Sequence, residues 1–399
     1  MRHLEYIYSD AVDPCHAMCS TMKFRTLGLE SVRSLIDTRR LLWINPPAGN
    51  LLQKEENMKK LVAVLGLMLA WGAKSQAQEK APLRLVQTVS FAGVSRHWDH
   101  MGADVQGNRL FVTSGEDAVI EVLDLHTNKK IQTITGLKDS HNVLPFPQMN
   151  KIFVTDGGAS ELKIYNYKTL ELVAHTPLSI DADPIVYDPA TKYFYIVNGG
   201  RAAHTPYCLI SVVDSVTGKK LEDIKLDTNR LESMALEKSS QRLFVNMATA
   251  NAIGVVDRQK RALITTWPIT AGMENVPMQY DESTHRLFVA TRKPSRLVVV
   301  NTDTGKEVTS LPTADSVDDL AYDPVLHRLY VAGGNLGGAV GAVTVIQQKD
   351  ADHYEVLANI PTKPGARNAR LVPELNKYYV STSTKAPQEA EILVFDVVP

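Results

Sequence analysis

A four-residue pattern, a basic or aromatic residue followed by an apolar triplet containing an aromatic, recurs seven times along the chain. It reads RLFV at 109, KIFV at 151, YFYI at 193, RLFV at 242, RLFV at 286, RLYV at 328 and KYYV at 377, with successive copies 42 to 49 residues apart. A period in the forties built from short β-type segments constrains the fold more than any other feature here. A unit of that length makes one small four-stranded sheet whose faces only a neighbouring unit can cover, so the units must stack around an axis. The alternating helical segments that a parallel α/β fold needs are absent. The expected fold is therefore all-β, a seven-bladed β-propeller of four-stranded antiparallel blades. A length of 399 residues would by itself suggest two or three domains, and the repeat overrides that count.

After each of these anchors comes a second alternating run: VIEVLDL at 119, LKIYNY at 162, LISVVDS at 209, IGVVDR at 253, LVVVNT at 297, VTVIQQ at 343 and ILVFDV at 392. These read as third strands. Tight turns follow, clearest in DSVTGK from Asp214 and NTDTGK from Asn301, where Gly218 and Gly305 supply a positive φ. Asn128 holds the same place in the first repeat. The last repeat stops at Pro399 after its third strand, while LRLVQTVSF at 83–91 matches the fourth strands in type. That N-terminal strand is expected to complete the last blade and close the ring, giving a propeller over 78–399.

The DxxTGK turns and RLYV-type strands resemble the YVTN-repeat β-propellers of bacteria, across essentially all of 83–399. The resemblance places the chain in a superfamily of quinoprotein-like and lactonase-like propellers that also includes surface-layer repeats and haem-binding members. It implies the fold and leaves the activity open.

Upstream, Met58 opens a pattern of Lys59 and Lys60, an apolar run from Leu61 to Trp71, and the small-x-small tripeptide Ser75-Gln76-Ala77. This predicts a secretory signal over 58–77, cleaved after Ala77, and a periplasmic or extracellular location. The apolar run is about half the ~20 residues a membrane span needs. Residues 1–57 show no strand alternation, and the purine-rich codons demanded by Lys54-Glu55-Glu56-Asn57 stand where a bacterial ribosome-binding site would. The segment is expected to be a disordered upstream extension from a start codon placed too early.

A formal net charge of -1 provides no field to attract nucleic acid or an acidic membrane surface. Of three cysteines only Cys208 falls in the propeller, so no disulfide framework is expected. At the head of an apolar strand it reads as a small buried hydrophobe. No G-x-S-x-G elbow, Walker A loop, C-x-x-C-H haem attachment or H-E-x-x-H helix is present.

In a propeller the connections from outermost to innermost strand, and from second to third, share one face. Nine or ten residues before each anchor, at that face, the chain carries His100, His141, Asp183, Glu232, Asp318 and Arg367, with Asn275 one position further out. His97 and Asp99 make the first repeat the densest. Polar side chains on a solvated tunnel wall need no ligand, but recurrence in every repeat, with carboxylates that would repel one another, favours a site. His100, His141, Asp183, Glu232 and Asp318 are the types that hold a divalent metal, calcium or zinc. On the same face the longer loops 199–207, 333–341 and 382–390 bring in Arg201, His204 and Tyr207, and Arg292, Lys293 and Arg296 lie in the blade-five loop, as possible grips for an anion or a partner protein.

The leading functional reading is a secreted monomeric scaffold that binds a small polar ligand or a protein, without nucleic acid or a membrane span. The alternative is a metal-dependent, calcium-type hydrolase similar to gluconolactonase- and paraoxonase-like propellers, with His100 or His141 as general base. Those propellers have six blades. A third is a redox propeller holding a quinone or haem through His97, His100 or His141.

Overall fold

A computed structural model of the chain describes residues 81–91, 97–335, 340–383 and 389–399. The extension and signal expected over 1–77, Arg96, and parts of the loops 333–341 and 382–390 lie outside the described residues. Within them, 28 strands form seven four-stranded antiparallel sheets. In six sheets the strands lie in chain order. In the seventh, Leu83–Phe91 pairs with Ala390–Val397, beside Lys377–Thr382 and Ala366–Val372. The N-terminal strand thus closes the ring as the sequence predicts. No helix among the described residues is long and apolar enough to cross a membrane.

The anchor pattern is explained by the two-fold alternation of a strand buried on both faces. The central aromatic of each anchor, Phe111, Phe153, Tyr195, Phe244, Phe288, Tyr330 and Tyr379, is buried against one neighbouring blade. The apolar residues on either side of it, such as Leu243 and Val245 around Phe244, pack against the other neighbour. Seven apolar clusters result, one between each pair of adjacent blades. The cluster at the closure joins Phe91 of the N-terminal strand to Trp98 of blade 1 and Tyr379 of blade 7.

Turn chemistry behaves as read. Gly218 and Gly305 adopt φ of 73° and 71°, and Asn128 adopts 54°. The Asp214 carboxylate accepts from the amides of Val216 and Thr217 at 2.8 Å each, and the Gly218 amide donates to the Asp214 carbonyl at 2.8 Å. These bonds satisfy the backbone of a tight hairpin and hold the Asp214 carboxyl below its usual range, the Thr217 amide contributing most.

Candidate functional site at the tunnel mouth

The innermost strand of six of the seven blades, all but blade 3, carries a local irregularity where it enters the tunnel. In blade 1 Trp98 pairs with Ser114 and Met101 with Val112, so Asp99 and His100 together face the single residue Thr113. Equivalent register shifts occur in blades 2, 4, 5, 6 and 7. Each is a bulge that turns two successive side chains toward the opening. The bulges are pinned from the adjacent second strand. The Thr113 hydroxyl lies 2.9 Å from the carbonyls of both His100 and His141, Thr155 donates to the Asp183 carbonyl at 3.1 Å, and Asn246 donates to the Val276 carbonyl at 2.9 Å. These polar bonds cross from one blade to the next.

The mouth therefore has two rings. The outer one holds Asp99, His141, Asp183, Glu232, Val276, Asp318 and Arg367. The inner one holds His100, Asn142, Pro184, Ser233, Pro277, Asp319 and Asn368. His100, expected beside His141, sits one step deeper at the level of Asn142. Asn275 does not join either ring. It is fully buried and donates to Asn246 Oδ1 at 2.8 Å and the Ala252 carbonyl at 3.0 Å, so it braces blades 4 and 5 internally.

The other expected residues fall into two groups. On blades 1–3, His141 Nδ1 donates to Asp99 Oδ2 at 2.7 Å, and one ligand atom each from Asp99, His141 and Asp183 lie within 4.8 Å of one another. Asn142 donates to Asp183 Oδ1 at 3.2 Å, and His100 Nδ1 lies 3.2 Å from Asp319. On blades 4–7, Glu232 accepts from Arg230 at 2.5 Å, and Asp318 takes Arg292 at 2.5 Å and Arg367 at 3.0 Å. Arg367 also donates to His97 Nε2. Glu232 and Asp318 are thus engaged away from the Asp99–His141–Asp183 group, whereas His100 bridges toward it, its Nε2 3.6 Å from Asp99 Oδ1.

The electrostatics follow from carboxylates and imidazoles crowded in an enclosed place. Burial works against the charged form of His141, yet Asp183 and the bond to Asp99 raise it to about 10. His100 is likewise raised well above the usual histidine range, burial being outweighed by Asp319 and Asp99. Burial, with the charges of Asp99 and Glu232, pushes Asp183 up to about 7 against the pull of His141. Burial and the charge of Asp318 also raise Glu232. Asp99 stays below its usual value, because His100 and His141 outweigh its burial.

Of the residues singled out on the loops, Arg201 lines a small cavity of about 50 Å³ with Asp181, Asp183, Arg230 and Glu232. Tyr207 lies under Lys225 at 4.4 Å, Lys293 pairs with Glu274 at 2.7 Å, and Arg296 donates to Ser310 at 3.0 Å. His204 occupies a turn with φ of 55°. Cys208 is buried, and its burial pushes the thiol up to about 11.

From the inner ring downward the tunnel holds a cavity of about 190 Å³, lined by His100, Asn142, Ser233 and Asp319 of that ring and, further on, by Leu144, Val186, Met234, Met278, Gln279 and Arg370 among others. Arg370 was not anticipated from the sequence. It faces the anchor aromatic Tyr379, at the level where the other blades carry Gly102, Leu144, Val186, Ala235, Gln279 and Ala321. Its guanidinium has no hydrogen-bond partner among the described residues. A basic side chain at a position otherwise small, apolar or neutral was the signal available.

Comparison with known proteins agrees with this architecture. Two Salmonella proteins, each named uncharacterized protein YncE, from Salmonella typhi and Salmonella typhimurium, are 26% identical over 209 residues, covering 52% of this chain and 56% of theirs. Antigen Lp49 of Leptospira interrogans is 23% identical over 242 residues, covering 57% of this chain and 51% of its own. The chain spans about half the length of these curated relatives. Among solved structures, a chain of Kuenenia stuttgartiensis hydrazine synthase aligns with a TM-score of 0.61 at 14% identity, over 73% of this chain and 94% of that one. A chain of the mitotic checkpoint complex aligns with 0.63 at 9% identity, over 79% and 92%. Identities this low establish a shared fold and nothing about activity. No family model matches the chain.

Proposed function

We propose that the chain is an exported binding protein of YVTN type, which receives a small ligand with an anionic head and an apolar body in its tunnel through the polar mouth. Arg370 carries this reading. An arginine without a hydrogen-bond partner, exposed on the tunnel wall and lining its cavity beside Leu144, Val186 and Gln279, is poised to take a carboxylate or phosphate by a two-pronged hydrogen bond. Methionines adapt their shape to varied apolar bodies, and His100, Asn142, Ser233 and Gln279 on the same cavity wall supply polar groups that can orient a ligand. Export rests on the Met58–Ala77 pattern, and the name antigen given to the leptospiral relative is in keeping with it.

Binding is preferred over calcium-dependent hydrolysis because that reading draws its oxygen ligands from Asp183, Glu232, Asn275 and Asp318, and Asn275 is turned into the blade interface. No comparable observation favours a redox cofactor.

The test is calorimetric titration of the full chain with hexanoate, hexyl phosphate and neutral hexanamide. Saturable binding of the anions, weakened at least tenfold by Arg370→Gln, is expected. Equal binding of the amide, or undiminished anion binding by Arg370→Gln, would overturn the reading.

A further inference from the structure

We infer that Asp99, His141 and Asp183 form a binding site for one transition-type divalent cation, with zinc the best fit, at the tunnel rim where blades 1, 2 and 3 meet. The inference is separate from the tunnel ligand and stands or falls without it. It rests first on geometry. One ligand atom from each residue lies within 4.8 Å of the others, although the three are 42 residues apart in the chain. A zinc ion holding nitrogen and oxygen at about 2.0–2.2 Å keeps its ligands roughly 3.3 Å apart. The 2.7 Å contact between His141 Nδ1 and Asp99 Oδ2 opens slightly to meet that spacing, and the wider gaps close by side-chain rotation.

A supporting shell is already built. Asn142 holds Asp183 Oδ1 at 3.2 Å, and the fully buried Asn368 donates to Asp99 Oδ1 at 3.3 Å while its own Oδ1 has no partner. The His141 ring lies over Gly157, where a Cβ would come within 2.8 Å of Nε2, so only glycine lets the imidazole sit there. His141 Nε2 is enclosed and makes no hydrogen bond, with Asp139 Oδ2 3.6 Å away. Outer groups that orient ligands in this way are a regular feature of metal centres. The backbone is fixed as well, through the bonds from Thr113 and Thr155 to the carbonyls of His141 and Asp183.

Charge and ligand type decide the ion. Asp99 and Asp183, with Asp139 and Asp181 beside them, are four carboxylates around the His141 imidazole, with His100, shared with Asp319, as the other imidazole in reach, while the nearby arginines 230, 292 and 367 are held by Glu232 and Asp318. An imidazole with carboxylates suits zinc or a neighbouring transition ion, whereas calcium takes oxygen ligands only.

The full chain, stripped with EDTA and dialysed, is to be titrated with zinc chloride, cobalt chloride and calcium chloride. One equivalent of zinc is expected to bind and raise the melting temperature, and cobalt should give visible absorption bands of a nitrogen-containing site. His141→Ala and Asp183→Asn should each weaken zinc at least tenfold, while Asp350→Asn on an outer turn should not. Cobalt spectra of the unsubstituted chain, and the milder His141→Gln, decide the matter if His141→Ala fails to fold. Absence of saturable zinc binding, zinc binding indifferent to both substitutions, or binding of calcium in preference to zinc would overturn the site.

Discussion

Asp281 ends the innermost strand of blade 5, buried, with its carboxylate met by the Ser283 hydroxyl at 2.7 Å, the Ser283 amide at 3.0 Å, the Gln348 amide at 3.1 Å, and the Thr284 hydroxyl. Burial alone would raise its pKa, but the bonds from Thr284, Ser283 and Gln348 win and hold it below the usual value. A depressed folded-state pKa means the bonds add stability above the unfolded pKa of about 3.9, and that this contribution is lost as pH falls through the lower folded value. Asp281→Asn is therefore expected to lose about 1–3 kcal/mol at pH 7. The difference from the unsubstituted chain should shrink toward pH 3, read from urea midpoints across pH. A difference that stays constant would show that packing, not charge, is responsible. The same scale shows what the sequence concealed at the mouth. Counting back from the anchors finds one polar residue per blade, but bulges bring two, so Asn142, Asp319 and Asn368 were missed and His100 was placed one step too high. Residue pairs such as Asp318-Asp319 and Arg367-Asn368 were visible in the chain, yet a bulge is set by register between strands, which spacing within one strand does not reveal.

At the scale of the strand, the anchors were legible because burial on both faces forces an unbroken apolar run with a large residue at its centre. Phe244 shows the consequence. It is fully buried between blades 4 and 5, with Trp267 at 5.5 Å and Tyr280 at 5.4 Å between ring centres. Phe244→Ala is expected to cost about 3–5 kcal/mol through lost contacts and the cavity left behind. Phe244→Leu should recover more than half of that, measured by urea denaturation. The outermost strands were harder to read, because their outer faces meet solvent and tolerate either polarity. Leu172 and Val173 are more than half exposed in blade 2, at 52% and 56%, whereas the corresponding strand of blade 1 begins with Lys130.

For the whole molecule, the ring is closed by a strand distant in sequence from its partners. Leu83 pairs with Val397 and Phe91 with Ala390. Phe91 meets Trp98 of blade 1 edge-to-face at 5.1 Å, so the same nine-residue strand both completes blade 7 and packs blade 7 against blade 1. Removing it would leave the backbone groups of the 390–397 strand unpaired at an open edge, and the closure cluster without one wall. An edge of that kind pairs readily with other chains. A chain lacking residues 83–91 is therefore expected to melt at least ~10 °C lower, in line with a loss of several kcal/mol, and to elute as soluble aggregates. Because the missing wall is a single strand, a synthetic peptide of sequence LRLVQTVSF should bind the truncated chain and restore part of the melting temperature in a concentration-dependent way. A truncated chain that melts like the complete one, or that gains nothing from the peptide, would mean that six blades and three strands hold the ring without their closing element.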